Sequence, residues 1–244
     1  THSNDVFAAR EYGLGGGYHE PEPDDLGGCM GNVKVGIIGA MDSEVELLKS
    51  KVEGATEHDV AGLVFVEGII DGVSVIVVKC GVGKVNAAMC AQALVSQLGA
   101  TCVINTGVAG SLDNNIEVGD IVVSTDAVEY DMDVTPLGYK PGEHPDLHMV
   151  AFEADRSLRE DVLSAARALD DVNVFEGRVC SADRFVASAE AKARVTSQFG
   201  GMCCEMEGAA IAHVCYVAGV PYVVVRAISD KADGSASVSY PEFE

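Results

Sequence analysis

The sequence holds 244 residues, 48 % of them apolar and 22 % charged, with a formal net charge of −22. So acidic a chain argues against nucleic acid and anionic membranes as partners and leaves small molecules open. No apolar run reaches the roughly 18 residues of a membrane span, and no secretory signal pattern is visible, so the expected location is the cytoplasm. The eight cysteines form no CxxC pair and lie mostly in apolar runs such as "VIVVKC" and "ATCVINT". They read as free thiols packed as small hydrophobes in a reducing compartment.

Residues 1–32, including "YGLGGGYHEPEPDDLGGCMGN", are rich in Gly, Pro and acid and lack periodicity. This reads as an extension with little structure of its own, followed by one domain over 33–244. "VKVGIIGA" (33–40) predicts a buried strand, and "MDSEVELLKSKV" (41–52) a helix with Met41, Val45 and Leu48 on one face. "GLVFVEGIIDGVSVIVVKC" (62–80) predicts two strands about an Asp-Gly turn. A helix is expected over 83–99, then a buried strand at 101–110 that runs into a Gly-rich loop. A long strand is expected at 119–134 and a proline-containing loop at 136–150.

Helix 155–169, strand 173–181 and helix 188–200 follow. "MCCEME" reads as a strand end, "GAAIAHVCYVAG" as a helix and "PYVVVRAISD" (221–230) as a strand. The alternation of strands and helices, broken by a hairpin, implies an α/β fold: a single three-layer domain with a mixed central sheet flanked by helices. "SYPEFE" at the end reads as a helix start, so a last C-terminal helix is expected to be missing from 33–244.

In α/β sheets ligands gather at the carboxyl ends of strands. Those ends here carry Glu44, Glu207 and Asp230, with Arg226, Phe185 and Met206 nearby. Each has a plain structural reading. Asp42 or Ser43 could cap the first helix with Glu44 complementing its dipole, and Glu207 could serve the next helix the same way. Asp230 could open a loop, Phe185 and Met206 could be core, and Arg226 could pair with a buried carboxylate. These readings leave unexplained why so many strand ends carry an acid, since acids sharing one crevice must be kept apart or share protons. "GIIGAM" lacks the third glycine of a dinucleotide fingerprint, so no such cofactor is expected. His144 and His148 stand four apart without a third ligand and His213 reads as a core histidine, so no metal is expected.

The blocks "GIIGAMDSEV", "GVGKVNAA", "INTGVAGSL", "VGDIVVS", "DMDVT", "EMEGAAIAHVC" and "PYVVVRAISDKAD" occur in order across nearly all of 33–244. Together they resemble the bacterial 5'-methylthioadenosine/S-adenosylhomocysteine nucleosidases of the nucleoside phosphorylase superfamily. The resemblance implies cleavage of an N-glycosidic bond in an adenine nucleoside, without cofactor. It implies that Glu44 activates water, that Asp230 is the acid at adenine N7, and that Glu207 binds the ribose hydroxyls with Met206 against the sugar. Phe185 would stack on adenine and the Val186 backbone would read its edge. Val82 and Tyr240 would line the apolar 5' end, and Leu137 would reach it from a second subunit of a homodimer. Met41, Arg226, Ser229 and Val108 complete the implied substrate-binding set. Many members carry Ser where Val108 stands, which leaves the partner of Asp230 to be found elsewhere.

Two other readings stay open. A purine nucleoside phosphorylase would need a phosphate site, usually built with arginine, where "GAMDSEV" offers acids. A nucleoside-binding protein without catalysis would retain its ligand rather than consume it.

Overall fold

The computed structural model describes residues 33–170, 172–236, 240 and 243. The N-terminal extension and most of "SYPEFE" lie outside the described residues. In chain order the elements are β1 (Lys34–Gly39), α1 (Asp42–Ser50), β2 (Glu53–Val60), β3 (Leu63–Ile70), β4 (Val73–Lys79), α2 (Lys84–Ser96), β5 (Cys102–Ser111) and β6 (Ile121–Glu129). A short 3-10 turn (Thr135–Leu137) follows, then β7 (Phe152–Glu153), α3 (Arg156–Ala166), β8 (Val174–Ser181), α4 (Ala189–Phe199), β9 (Cys203–Glu205), α5 (Gly208–Ala218) and β10 (Tyr222–Asp230).

The ten strands form one mixed sheet. β1 lies between β4 and β5, parallel to both, and β4, β3 and β2 continue outward as antiparallel neighbours. The β3–β4 hairpin turns on Asp71 and Gly72, both at positive φ, as an Asp-Gly hairpin requires. Ala61 and Gly62 make a similar turn between β2 and β3. β2 was not expected from the sequence, because "EGATEHDV" is an edge strand exposed over most of its length and lacks apolar alternation.

At the other side the sheet closes. β5 pairs with β10, β10 with β6, β6 with β8, β8 with β9, and β9 returns to β5. Closure matters for position. β9 runs antiparallel to β5, with Cys204 opposite Gly110, so the segment after β9 is led back along β5.

β5 matches the expected strand at 101–110 within one residue, and β10 and β9 pair with its glycine-containing end. One strand bound differs from expectation. β6 stops at Glu129 instead of running to 134, and the chain then turns.

α5 is the most apolar helix and packs beside α2, both supplying small buried residues such as Ala87, Ala91, Ala209 and Ala212. With Ile38, Phe65, Ile76 and Ile211 these form the largest core cluster. Seven cysteines in the described residues are free thiols, six of them fully buried. Burial pushes the Cys80, Cys180 and Cys215 thiols up to about 12, which leaves them unreactive.

Candidate active site

Glu44 stands at the third position of α1. Its Oε2 accepts the Ala40 and Met41 amides at 2.6 and 3.0 Å, and its Oε1 accepts the Val108 amide at 3.0 Å. The N-cap is Met41, not Asp42 or Ser43 as the sequence suggested. The carboxylate that closes the helix start is therefore also the one held against β5. Gly107 makes this approach possible: a Cβ there would meet Glu44 Oε1 at 2.5 Å.

The two glutamates of "EME" part company. Glu205, the last residue of β9, accepts the Glu207 and Gly208 amides at 3.1 and 2.7 Å, so it rather than Glu207 satisfies the start of α5. It also receives Arg226 and the Ser181 hydroxyl, which in turn accepts the Ala209 amide. Arg226 is 1 % exposed and further anchored on Asn105. Burial works against its charge, but Glu205, Glu44 and Glu207 around it push its pKa up. Glu207 caps α5 by backbone position alone, and its Oε1 accepts the Gly83 amide at 2.7 Å. Burial, and then the charge of Glu205, pushes its carboxyl up to about 7.

Asp230 ends β10 and is 2 % exposed. Its Oδ1 accepts the Ala232 amide at 2.8 Å and its Oδ2 accepts the Ser229 hydroxyl at 2.9 Å. Ser229 thus supplies the hydroxyl partner that Val108 cannot. Gly110 lies under Asp230 as Gly107 lies under Glu44, a Cβ there falling 2.8 Å from Oδ1.

These groups meet around one cavity of about 220 Å³. Glu44, Glu207 and Asp230 line it with Met41, Val82, Val108, Phe185, Met206, Ser229 and Tyr240. Tyr240 donates to Met41 Sδ at 3.0 Å and stands edge-on to Phe185, with ring centres 5.8 Å apart. Val186 is buried and borders a smaller adjoining cavity with Phe185, Met206 and Asp230. Besides Val186, two implied residues do not line the main cavity: Arg226 lies behind it on Glu205, and Leu137 is 75 % exposed.

A family model described as the phosphorylase superfamily matches residues 34–244. The 5'-methylthioadenosine/S-adenosylhomocysteine nucleosidase of Exiguobacterium sp. is 41 % identical over 212 residues, covering 86 % of this chain and 91 % of that protein. The chain belongs to the phosphorylase superfamily, among its 5'-methylthioadenosine/S-adenosylhomocysteine nucleosidases. The Haemophilus influenzae (strain 86-028NP) nucleosidase is 43 % identical with the same coverage. The Neisseria meningitidis nucleosidase in complex with methylthio-immucillin-A superposes with a TM-score of 0.83 at 38 % identity, covering 86 % of this chain and 91 % of that one. Futalosine hydrolase of Helicobacter pylori superposes at 0.82 with 33 % identity, covering 87 % and 91 %.

Within this nucleosidase fold, sequence reasoning left Glu205 unassigned between helix start and ligand, and missed Ser181, Asn105 and the Gly83 amide. A signal existed for the first three: Glu, Ser and Asn inside buried strands need partners. Gly83 could not be found that way, because a backbone amide carries no residue-type signature.

Proposed function

We propose that this chain hydrolyses the N-glycosidic bond of 5'-methylthioadenosine and S-adenosylhomocysteine, releasing adenine and the 5-substituted ribose. The observation that carries the reading is the Glu44 carboxylate, fixed by three amides at the cavity wall with Glu207 and Asp230 beside it. A carboxylate so held orients and deprotonates a water. Asp230 protonates adenine N7, so the base leaves as a neutral molecule. The sugar passes through an oxocarbenium-like state, which the acidic cavity favours. Glu207 holds the ribose hydroxyls, and Met206 packs against the sugar. Phe185 stacks on the base, Val186 reads its edge through the backbone, and Val82, Met41 and Tyr240 form the apolar wall for the thioalkyl group.

Phosphorolysis is disfavoured by the same wall. The described residues that line the cavity include carboxylates and neither Lys nor Arg, and Arg226 is committed to Glu205. A phosphate dianion there would face Glu44 without a counter-charge. 5'-Deoxyadenosine and aminodeoxyfutalosine share the adenine and ribose that these contacts read, and the likeness to a futalosine hydrolase supports including them in the substrate range.

The working unit is a homodimer in the cytoplasm, acting in methionine salvage. Exposed Val85, Met89 and Leu137 support a covered apolar face, and the buried free thiols support a reducing compartment. Sedimentation analysis of the wild type and of Leu137→Asp tests the dimer; a monomeric wild type overturns it.

The deciding experiment is adenine release from methylthioadenosine in phosphate-free buffer and again with phosphate. Release without phosphate, yielding free methylthioribose, supports the reading. Release that needs phosphate, yielding the sugar 1-phosphate, overturns it in favour of a phosphorylase. Bound but unconsumed ligand overturns it in favour of a binding protein.

A further inference from the structure

Outside the cavity, three elements bring Glu129, His144 and His213 together. Glu129 ends β6, His144 lies in the segment before β7, and His213 lies on α5. His213 Nδ1 stands 3.2 Å from Glu129 Oε1, and His144 Nε2 stands 3.6 Å from the same oxygen. One atom from each residue falls within 4.8 Å of the others. The Glu129–His213 contact by itself is an ordinary hydrogen bond. His144 is different: it is 7 % exposed, and its Nε2 is buried without a hydrogen-bond partner while aimed at this oxygen. A buried imidazole nitrogen left in that state costs free energy unless something binds it.

From this geometry we infer that Glu129, His144 and His213 bind a divalent transition-metal ion of the zinc class. Ligands at about 2.0–2.2 Å from a tetrahedral zinc lie roughly 3.3 Å apart, close to the separations found. Two imidazoles and one carboxylate are a zinc donor set. The rings are held in place by Phe152, which stacks on His213 at 4.7 Å and tilts against His144 at 5.5 Å.

The charges suit a cation. Lys84 takes the far oxygen, Glu129 Oε2, at 2.9 Å and leaves Oε1 to the two histidines, and Asp131 pairs with Lys84 at 2.6 Å. Glu129 and Asp131 against Lys84 leave one net negative charge before the ion binds. Burial opposes ionisation of Glu129, but His213 and Lys84 hold its pKa down to about 2. Burial lowers the pKa of His144, which keeps its lone pair available. The ion would tie the 143–150 segment to β6 and α5.

The test uses the full chain after chelator treatment. Zinc uptake is measured by competition with a chromophoric chelator, with thermal unfolding in parallel, and cobalt(II) is the spectroscopic probe. One zinc per chain, a raised Tm and a cobalt spectrum without thiolate charge transfer are expected. His213→Gln, on a half-exposed helix face, and His144→Gln should each weaken zinc affinity at least tenfold. If His144→Gln fails to fold, His213→Gln decides alone. Uptake unchanged in His213→Gln, a thiolate–cobalt band, or no saturable uptake overturns the site. The outcome is independent of nucleosidase activity.

Discussion

Arg226 Nη2 donates to Glu205 Oε2 at 2.5 Å in the interior of the sheet, with both side chains almost fully buried. This pairing answers why two glutamates stand one residue apart in an apolar run. Glu205 is consumed by Arg226, Ser181 and the start of α5, which leaves Glu207 to face the cavity.

Removing one partner of a buried ion pair leaves the other charged and unpaired. Glu205→Gln should therefore cost roughly 3–5 kcal/mol of stability, read from the urea midpoint. A cost below about 1 kcal/mol would show that Arg226 finds other compensation.

Glu207 behaves oppositely, and pH exposes it. An acid whose pKa is raised on folding stabilises the protein below its unfolded value, and that contribution is lost as pH rises through the folded value. For Glu207 the window runs from 4.5 to about 7. Across it the ligand-free wild type should lose roughly 3 kcal/mol relative to Glu207→Gln. Parallel stability curves for the two proteins between pH 4.5 and 8 would contradict the raised pKa.

Asp230→Asn should fold and bind substrate but lose a factor of about 10²–10⁴ in kcat, since the leaving adenine loses its acid. Ser229→Ala should lower kcat by roughly tenfold with little change in KM, because one hydrogen bond to a carboxyl is removed. An unchanged kcat in Ser229→Ala would mean that Ala232 and the strand hold Asp230 unaided.

The glycines under the acids offer a test by displacement. Gly107→Ala puts a methyl group 2.5 Å from Glu44 Oε1 and must push that carboxylate off its amides. Misplacement on this scale should cost about 10² or more in kcat. Turnover within a factor of about two of wild type would remove Glu44 from the chemistry.

Local rules made much of this protein legible. Among the described residues, apolar runs and turn residues marked α1 to α5 and most strands, and Asp71-Gly72 specified its hairpin outright. Strand ends pointed to Glu44, Glu207 and Asp230, because a carboxylate after a buried strand conflicts with its surroundings and invites a functional reading. β2 stayed hidden because an exposed edge strand carries no alternation.

The sequence by itself determined the order of the core strands and helices, apart from β2 and β7, together with the family blocks and the acids at the strand ends, since these rest on residue type and near spacing. The tertiary structure alone decided which glutamate is structural, which amide holds Glu207, that Ser229 serves Asp230, and that two histidines 69 positions apart meet at Glu129. Those outcomes depend on the sheet closing from β5 round to β9 and on α5 packing beneath it. Such long-range contacts arise from burial of whole faces, and no local pattern encodes which distant partner a buried polar atom will find.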